Sequence, residues 1–262
     1  MFFGASFFLH FLHYWFKFNQ NSKMTNVALI TGGAVRIGHQ IANHLAQKGW
    51  NVALHFNSSS LDVSEFESEL RTKYGDQQFY SFKTDLGSAE HTGKLIDQVL
   101  ARFGSLDLLI NNASVYEPGS LKNTDNSLLT SLTMINVIAP FILMRDFAKK
   151  CGKGLIINMV DTRITNNSGD YFAYSLSKKS LWELTKMAAL ELAPLFRVNA
   201  IAPGAVLPPV GKDNSYLEKI SLKTPMKTPS GVISILKSVD YIIDNQDITG
   251  QLIFCDGGGH LI

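Results

Sequence analysis

The stretch NVALITGGAVRIGHQIANHLAQKGWNVALHF, residues 26–56, decides the fold. NVALIT (26–31) is a short apolar run with the length and composition of a strand buried on both faces. It breaks at TGGAVRIG (31–38). Ile37, Ile41 and Leu45 then repeat at helical spacing until Gly49 supplies a C-terminal stop. A second apolar run, NVALHF (51–56), follows at once. Strand, glycine turn, helix and strand within about thirty residues is the unit from which parallel sheets are built.

The pattern continues outward. QFYSFKTD (78–85), LDLLIN (106–111), GLIINMV (154–160), RVNAIA (197–202) and GQLIFC (250–255) read as further strands, mostly continuous in hydrophobicity. HTGKLIDQVLARFG and SLWELTKMAALELAP carry helical periodicity between them. The expectation is α/β: a single doubly wound Rossmann domain over residues 24–262, with a seven-stranded parallel sheet flanked by helices. No linker divides it. The least regular segment, 204–225, is long enough to be expected to work at the site.

Composition excludes several classes. A net charge of +2 without a basic block gives no reason to expect nucleic acid. Cys151 and Cys255 form no metal spacing and no disulfide framework, which points to a reducing, cytoplasmic setting. His39 and His44 lie five apart on one helix, and His55 and His260 have no metal-like neighbours, so no metal is expected. Residues 1–23 are dense in aromatics and free of acids. They lack the basic start and cleavage site of a signal peptide, and the run is short for a membrane span. They read as an upstream start ahead of Met24, with no membrane partner.

Glycines in TGGAVRIG let a backbone approach a pyrophosphate, and the helix that follows offers unpaired N–H groups to it. Gly32, Arg36 and Ile37 are the candidates there. An NAD-binding chain carries an acid at the end of the second strand to hold the ribose 2′-hydroxyl. This strand ends HFNSSS, with no acid before Asp62. Asn57, Ser58 and Ser59 can donate to a 2′-phosphate, and Arg36 adds a charge. The cofactor expected is NADPH.

In NMVDTRITNNSGDYFAYSLSK (158–178), Tyr174 and Lys178 stand one helical turn apart and share a face. A tyrosine pairing with a lysine is common on solvated helices and says little alone. Behind a glycine turn it suggests a proton donor, because a nearby ammonium favours phenolate and lowers the tyrosine pKa. Lys178 can also hydrogen-bond the nicotinamide ribose. Asp161 lies thirteen residues before Tyr174.

The TGxxxRxG turn, NNAS (111–114), NVIAP (136–140), YSLSK (174–178), RVNAIAPG (197–204) and ITGQLIFCDGG (248–258) resemble the short-chain dehydrogenase/reductase superfamily, from Thr25 to the C-terminus. Two departures from the common pattern, Arg36 for the middle glycine and Asp161 for the catalytic serine, are similar to the pteridine reductase and dihydromonapterin reductase branch. The resemblance implies a catalytic set of Asp161, Tyr174 and Lys178, with Asn136 in a proton relay. It implies that Tyr116 sandwiches a pterin against the nicotinamide and that Ser114 contacts pterin or cofactor phosphate. It places Asp85 and Leu86 at the adenine, Asn112 and Ala113 at the ribose, and Pro203 and Gly204 beside the nicotinamide. It also implies a homotetramer. The arginine that many members carry after the second strand is replaced by Ser58.

The expected function is therefore NADPH-dependent reduction of a dihydropterin or dihydromonapterin to the tetrahydro form, with weak dihydrofolate reduction. The alternatives are a carbonyl reductase of the 3-oxoacyl carrier-protein type and a non-catalytic NADP-binding regulator.

Overall fold

The structure is a computed structural model that describes residues 25–262 except Ser59, Ser168, Pro209, Val210, Lys212 and Asn214. The N-terminal extension and the Ser59 assignment lie outside the described residues. Seven parallel strands form one sheet in the order β3-β2-β1-β4-β5-β6-β7. They are β1 (Val27–Ile30), β2 (Asn51–Phe56), β3 (Phe79–Lys83), β4 (Leu108–Asn111), β5 (Gly154–Met159), β6 (Phe196–Pro203) and β7 (Leu252–Cys255). The helices are α1 (Arg36–Gln47), α2 (Ser60–Lys73), α3 (Ala89–Phe103), α4 (Asn126–Thr133), α5 (Ala139–Lys150), α6 (Phe172–Leu192), α7 (Ser215–Ser221) and α8 (Val232–Asp244).

Both faces of the sheet are buried, and alternate residues of each strand feed different cores. Ala28 and Ile30 face one core with Ile41, Leu45, Leu70, Ile235 and Val239, beneath α1, α2 and α8. Val27 and Leu29 face the other with Leu95, Ile96, Val99, Leu143 and Phe147, beneath α3, α5 and α6. This two-sided burial explains why the central strands read as continuous apolar runs. The edges differ. In β3 only Phe79 and Phe82 are buried, and in β7 only Cys255 is, because each edge strand has a single neighbour. Segment 204–225 is also more regular than expected, since α7 lies within it.

Asn126–Lys150 is a continuous helical run, long and apolar enough to cross a membrane by length and composition. Here Leu132, Ala139, Leu143 and Phe147 are buried in the protein. A π-helical turn, Met134–Ile138, interrupts it and turns Asn136 fully inward.

Chain order reverses between β1 and β4, so their connections diverge and leave a crevice at the carboxyl ends of the strands. There the backbone runs too close for side chains. A Cβ on Gly38 would overlap the Gly32 carbonyl and reach 2.7 Å from Asn112 Nδ2. In an open helix Gly→Ala gains about 1 kcal/mol. Overlap with backbone costs about 1–3 kcal/mol and outweighs it. Gly38→Ala is therefore expected to lower stability in urea denaturation, and a more stable variant would show that the turn can relax.

Candidate active site

Thr31 ends β1 and ties the two sides of the crevice. Its Oγ1 accepts from the backbone N–H groups of Asn112 (2.9 Å) and Ala113 (3.0 Å) and lies 3.4 Å from the Ile110 carbonyl. Asn112 Nδ2 returns a bond to the Thr31 carbonyl at 2.9 Å. Gly32 follows at φ +62°, and its N–H donates to His55 Nδ1 at 3.1 Å. His55 is buried at the end of β2, and its Nε2 meets the Thr84 carbonyl at 2.9 Å. Burial pushes its pKa down to about 4, so the ring is neutral with Nε2–H donating and Nδ1 accepting. Thr31 and His55 were not among the expected site residues. A threonine before paired glycines and a histidine inside an apolar strand were the available signals.

Helix α1 starts without a side-chain cap at Val35 and without an acid in its first turn. Its leading N–H groups are thus available to an anion. Arg36 adopts φ +51°, the left-handed region that the usual glycine takes without strain. Its guanidinium donates to the Pro208 carbonyl at 3.1 Å, beyond β6. Asn57 and Ser58 are exposed where β2 ends. Asp85 is exposed with Oδ1 accepting from the Gly87 N–H, Leu86 is buried, and Ile37 packs against the core. Gly204 follows Pro203, and a Cβ there would come within 2.9 Å of Asp256. These bare approaches and open N–H groups, all at the carboxyl ends of the strands, suit a dinucleotide.

The second cluster surrounds Tyr174. Its hydroxyl donates to Asp161 Oδ2 at 2.7 Å. The other carboxylate oxygen accepts from the Arg163 backbone N–H at 2.8 Å, capping the 3-10 turn Thr162–Ile164. Lys178 is 3% exposed, and its Nζ donates to the Met159 carbonyl at 2.8 Å. Asn136 joins this cluster to the crevice. Its Oδ1 accepts from the Val115 N–H (2.9 Å) and Ser114 Oγ (3.2 Å), while its Nδ2 donates to the Val115 carbonyl and Ser177 Oγ, each at 3.0 Å.

Aromatic rings form the outer wall. Tyr116 stacks on Tyr171 with centroids 4.6 Å apart and meets Tyr174 edge-on at 4.7 Å. A bridge between Gly119 and Tyr171 joins the two loops that carry them. Tyr116 is 48% exposed, leaving ring surface for a flat ligand. Tyr171 and Arg163 were missed from the sequence, because no spacing rule links them to position 116.

One expectation is corrected. Tyr174 was expected to be acidified by Lys178, yet its pKa is raised well above the usual value. Burial is the largest cause, followed by the Asp161 charge. The lysine Nζ stays 5.8 Å from the ring centroid, engaged elsewhere. Tyr174 is a neutral proton donor to a carboxylate.

The family model for short chain dehydrogenases matches residues 26–217. The chain belongs to that family. It is thus an oxidoreductase on a fold that binds a nicotinamide cofactor. Among relatives of this short chain dehydrogenase, pteridine reductase 1 of Leishmania tarentolae is 31% identical over 88% of this chain and 95% of its own. The 3-oxoacyl-[acyl-carrier-protein] reductase FabG of Staphylococcus aureus is 27% identical over 91% of this chain and 100% of its own. A solved structure of FolM alternative dihydrofolate reductase 1 from Brucella canis, complexed with NADP, superimposes with TM-score 0.84 and 33% identity. That match covers 90% of this chain and 95% of the other.

Burial lowers the Lys178 pKa from 10.5 to about 8. Between those values the unfolded chain keeps a proton that the folded chain has released. Lys178 therefore contributes stability that rises with pH across that window, by about 3 kcal/mol in full. Denaturation of the wild type and Lys178→Met at pH 7 and pH 10 should show the wild type gaining on the variant. A pH-independent difference would contradict the depressed pKa.

Proposed function

We propose that the protein is an NADPH-dependent pterin reductase, taking a dihydropterin such as dihydromonapterin to the tetrahydro form. The carrying observation is the 2.7 Å hydrogen bond from Tyr174 to Asp161, a carboxylate where a carbonyl reductase of this family places a hydroxyl. The pteridine reductase and FolM relatives support the same reading.

The cofactor, when bound, supplies a hydride to a ring carbon. The chain's own residues must then protonate the adjacent ring nitrogen. Tyr174 holds its proton because it is buried beside an anion, and the proton lies between Tyr174 Oη and Asp161 Oδ2. A substrate nitrogen entering that bond takes the proton, and the carboxylate stabilises the cation-like character developing on the ring. In this reading Lys178, whose Nζ is held at the Met159 carbonyl, hydrogen-bonds the nicotinamide ribose when the cofactor is bound. Asn136 holds Ser114 and Val115 so that Tyr116 presents its ring to the substrate.

NADPH is preferred over NADH in this reading because no acid stands between the end of β2 at Phe56 and Asp62, and the FolM neighbour is an NADP complex. Arg36, bonded to Pro208, adds positive potential rather than a preformed phosphate clamp. Exposed Phe141, Leu176, Met187 and Leu190 on α5 and α6 support a homotetramer, and a cytoplasmic location goes with the free thiols.

Asp161→Ser is expected to cut kcat on dihydropterin by about 10²-fold or more while NADPH affinity is kept, the range of a positioned proton transfer. An unchanged kcat would remove Asp161 from the mechanism. Oxidation of NADPH and NADH should be followed against dihydropterins, dihydrofolate and an acetoacetyl thioester. The expected outcome is turnover of pterins with NADPH. Faster reduction of the thioester would favour the carbonyl reductase reading that the FabG relative raises, and tighter NADH binding would refute the cofactor assignment.

A further inference from the structure

The 3-10 turn after Asp161 carries a cation to the rim of the site. The Arg163 guanidinium lies 4.5 Å from the Tyr171 ring centroid, and one terminal nitrogen is 3.5 Å from Tyr116 Oη. Its backbone is fixed by the bond to Asp161 Oδ1. Among the described residues no ion pair engages Arg163. Among the described residues, Lys178 is taken by the Met159 carbonyl and Arg36 by the Pro208 carbonyl. A guanidinium has five N–H donors, so most of this one's capacity is unused by side chains of the protein.

We infer that Arg163 binds a carboxylate on the side arm of a substrate, and so adds affinity for those pterins that carry an anionic tail. This rests on the pterin reading of the site. A pterin ring laid against Tyr116, with a nitrogen at the Tyr174–Asp161 pair, would have Arg163 near its edge, because the guanidinium reaches Tyr116 Oη. Stacking on Tyr171 holds the guanidinium plane before ligand arrives, so less side-chain freedom is lost when a carboxylate takes its paired donors. The attraction is exposed to solvent and therefore sensitive to salt.

The test compares kcat/KM for dihydrofolate, whose tail ends in carboxylates, with that for dihydrobiopterin, whose tail is uncharged. Wild type, Arg163→Gln and Arg163→Lys are measured with NADPH. In Arg163→Gln the dihydrofolate-to-dihydrobiopterin ratio should fall about tenfold, mainly through KM, as expected for one charge-assisted pair. Arg163→Lys should recover part of it, and added salt should erode the ratio in the wild type but not in Arg163→Gln. An unchanged ratio, or an equal fall for both substrates, overturns the inference while leaving the pterin reading in place. A matching loss of NADPH affinity in Arg163→Gln would assign the charge to the cofactor and overturn it too. A wild type that reduces neither of these substrates nor dihydromonapterin would overturn the pterin reading, and this inference with it.

Discussion

The exits of β1 and β4 come so close that backbone must meet backbone, and the site is arranged around that approach. A Cβ on Gly32 would lie 3.3 Å from Ala113 Cα, and one on Gly38 would overlap the Gly32 carbonyl. Polar groups enclosed there need partners. Thr31 Oγ1 takes two N–H groups from the far side, Asn112 closes the reciprocal bond, and His55 accepts from Gly32. With these satisfied, the uncapped start of α1 still offers its leading N–H groups to an anion.

The chemistry is set by burial more than by proximity. Lys178 and Tyr174 share a helix face, yet the lysine bonds the β5 carbonyl at Met159 and the tyrosine bonds Asp161. A lysine ammonium and a tyrosine in the same dry pocket both become harder to ionise in the sense that costs charge, so the lysine is made more acidic and the phenol less so. The result is a phenol that keeps its proton in a hydrogen bond to Asp161. The π-helical turn at Asn136 serves the same end, bringing one amide into contact with the Tyr116 loop on one side and Ser177 on the other.

Much of this was legible in the chain. All seven strands lie where apolar runs mark them, because a strand covered on both faces admits few polar residues. Asp161, Tyr174, Lys178, Asn136, Ser114 and Tyr116 do come together in one cluster. What the chain did not show has one cause. The direction of the Tyr174 shift, the turn of Arg36 toward Pro208 and the stack of Arg163 on Tyr171 all depend on contacts between residues that no local period connects.

What the sequence by itself determined is the alternation of strand and helix, the glycine turn, the Tyr174–Lys178 face and the aspartate in place of a serine. These follow from residue type and spacing along the chain, which periodicity and backbone freedom govern locally. Only the tertiary structure decided which partner each polar group takes, which phenol keeps its proton and which cation stays unpaired at the rim. Desolvation and Coulomb attraction act through space, and the distances that set them exist only once distant segments have packed.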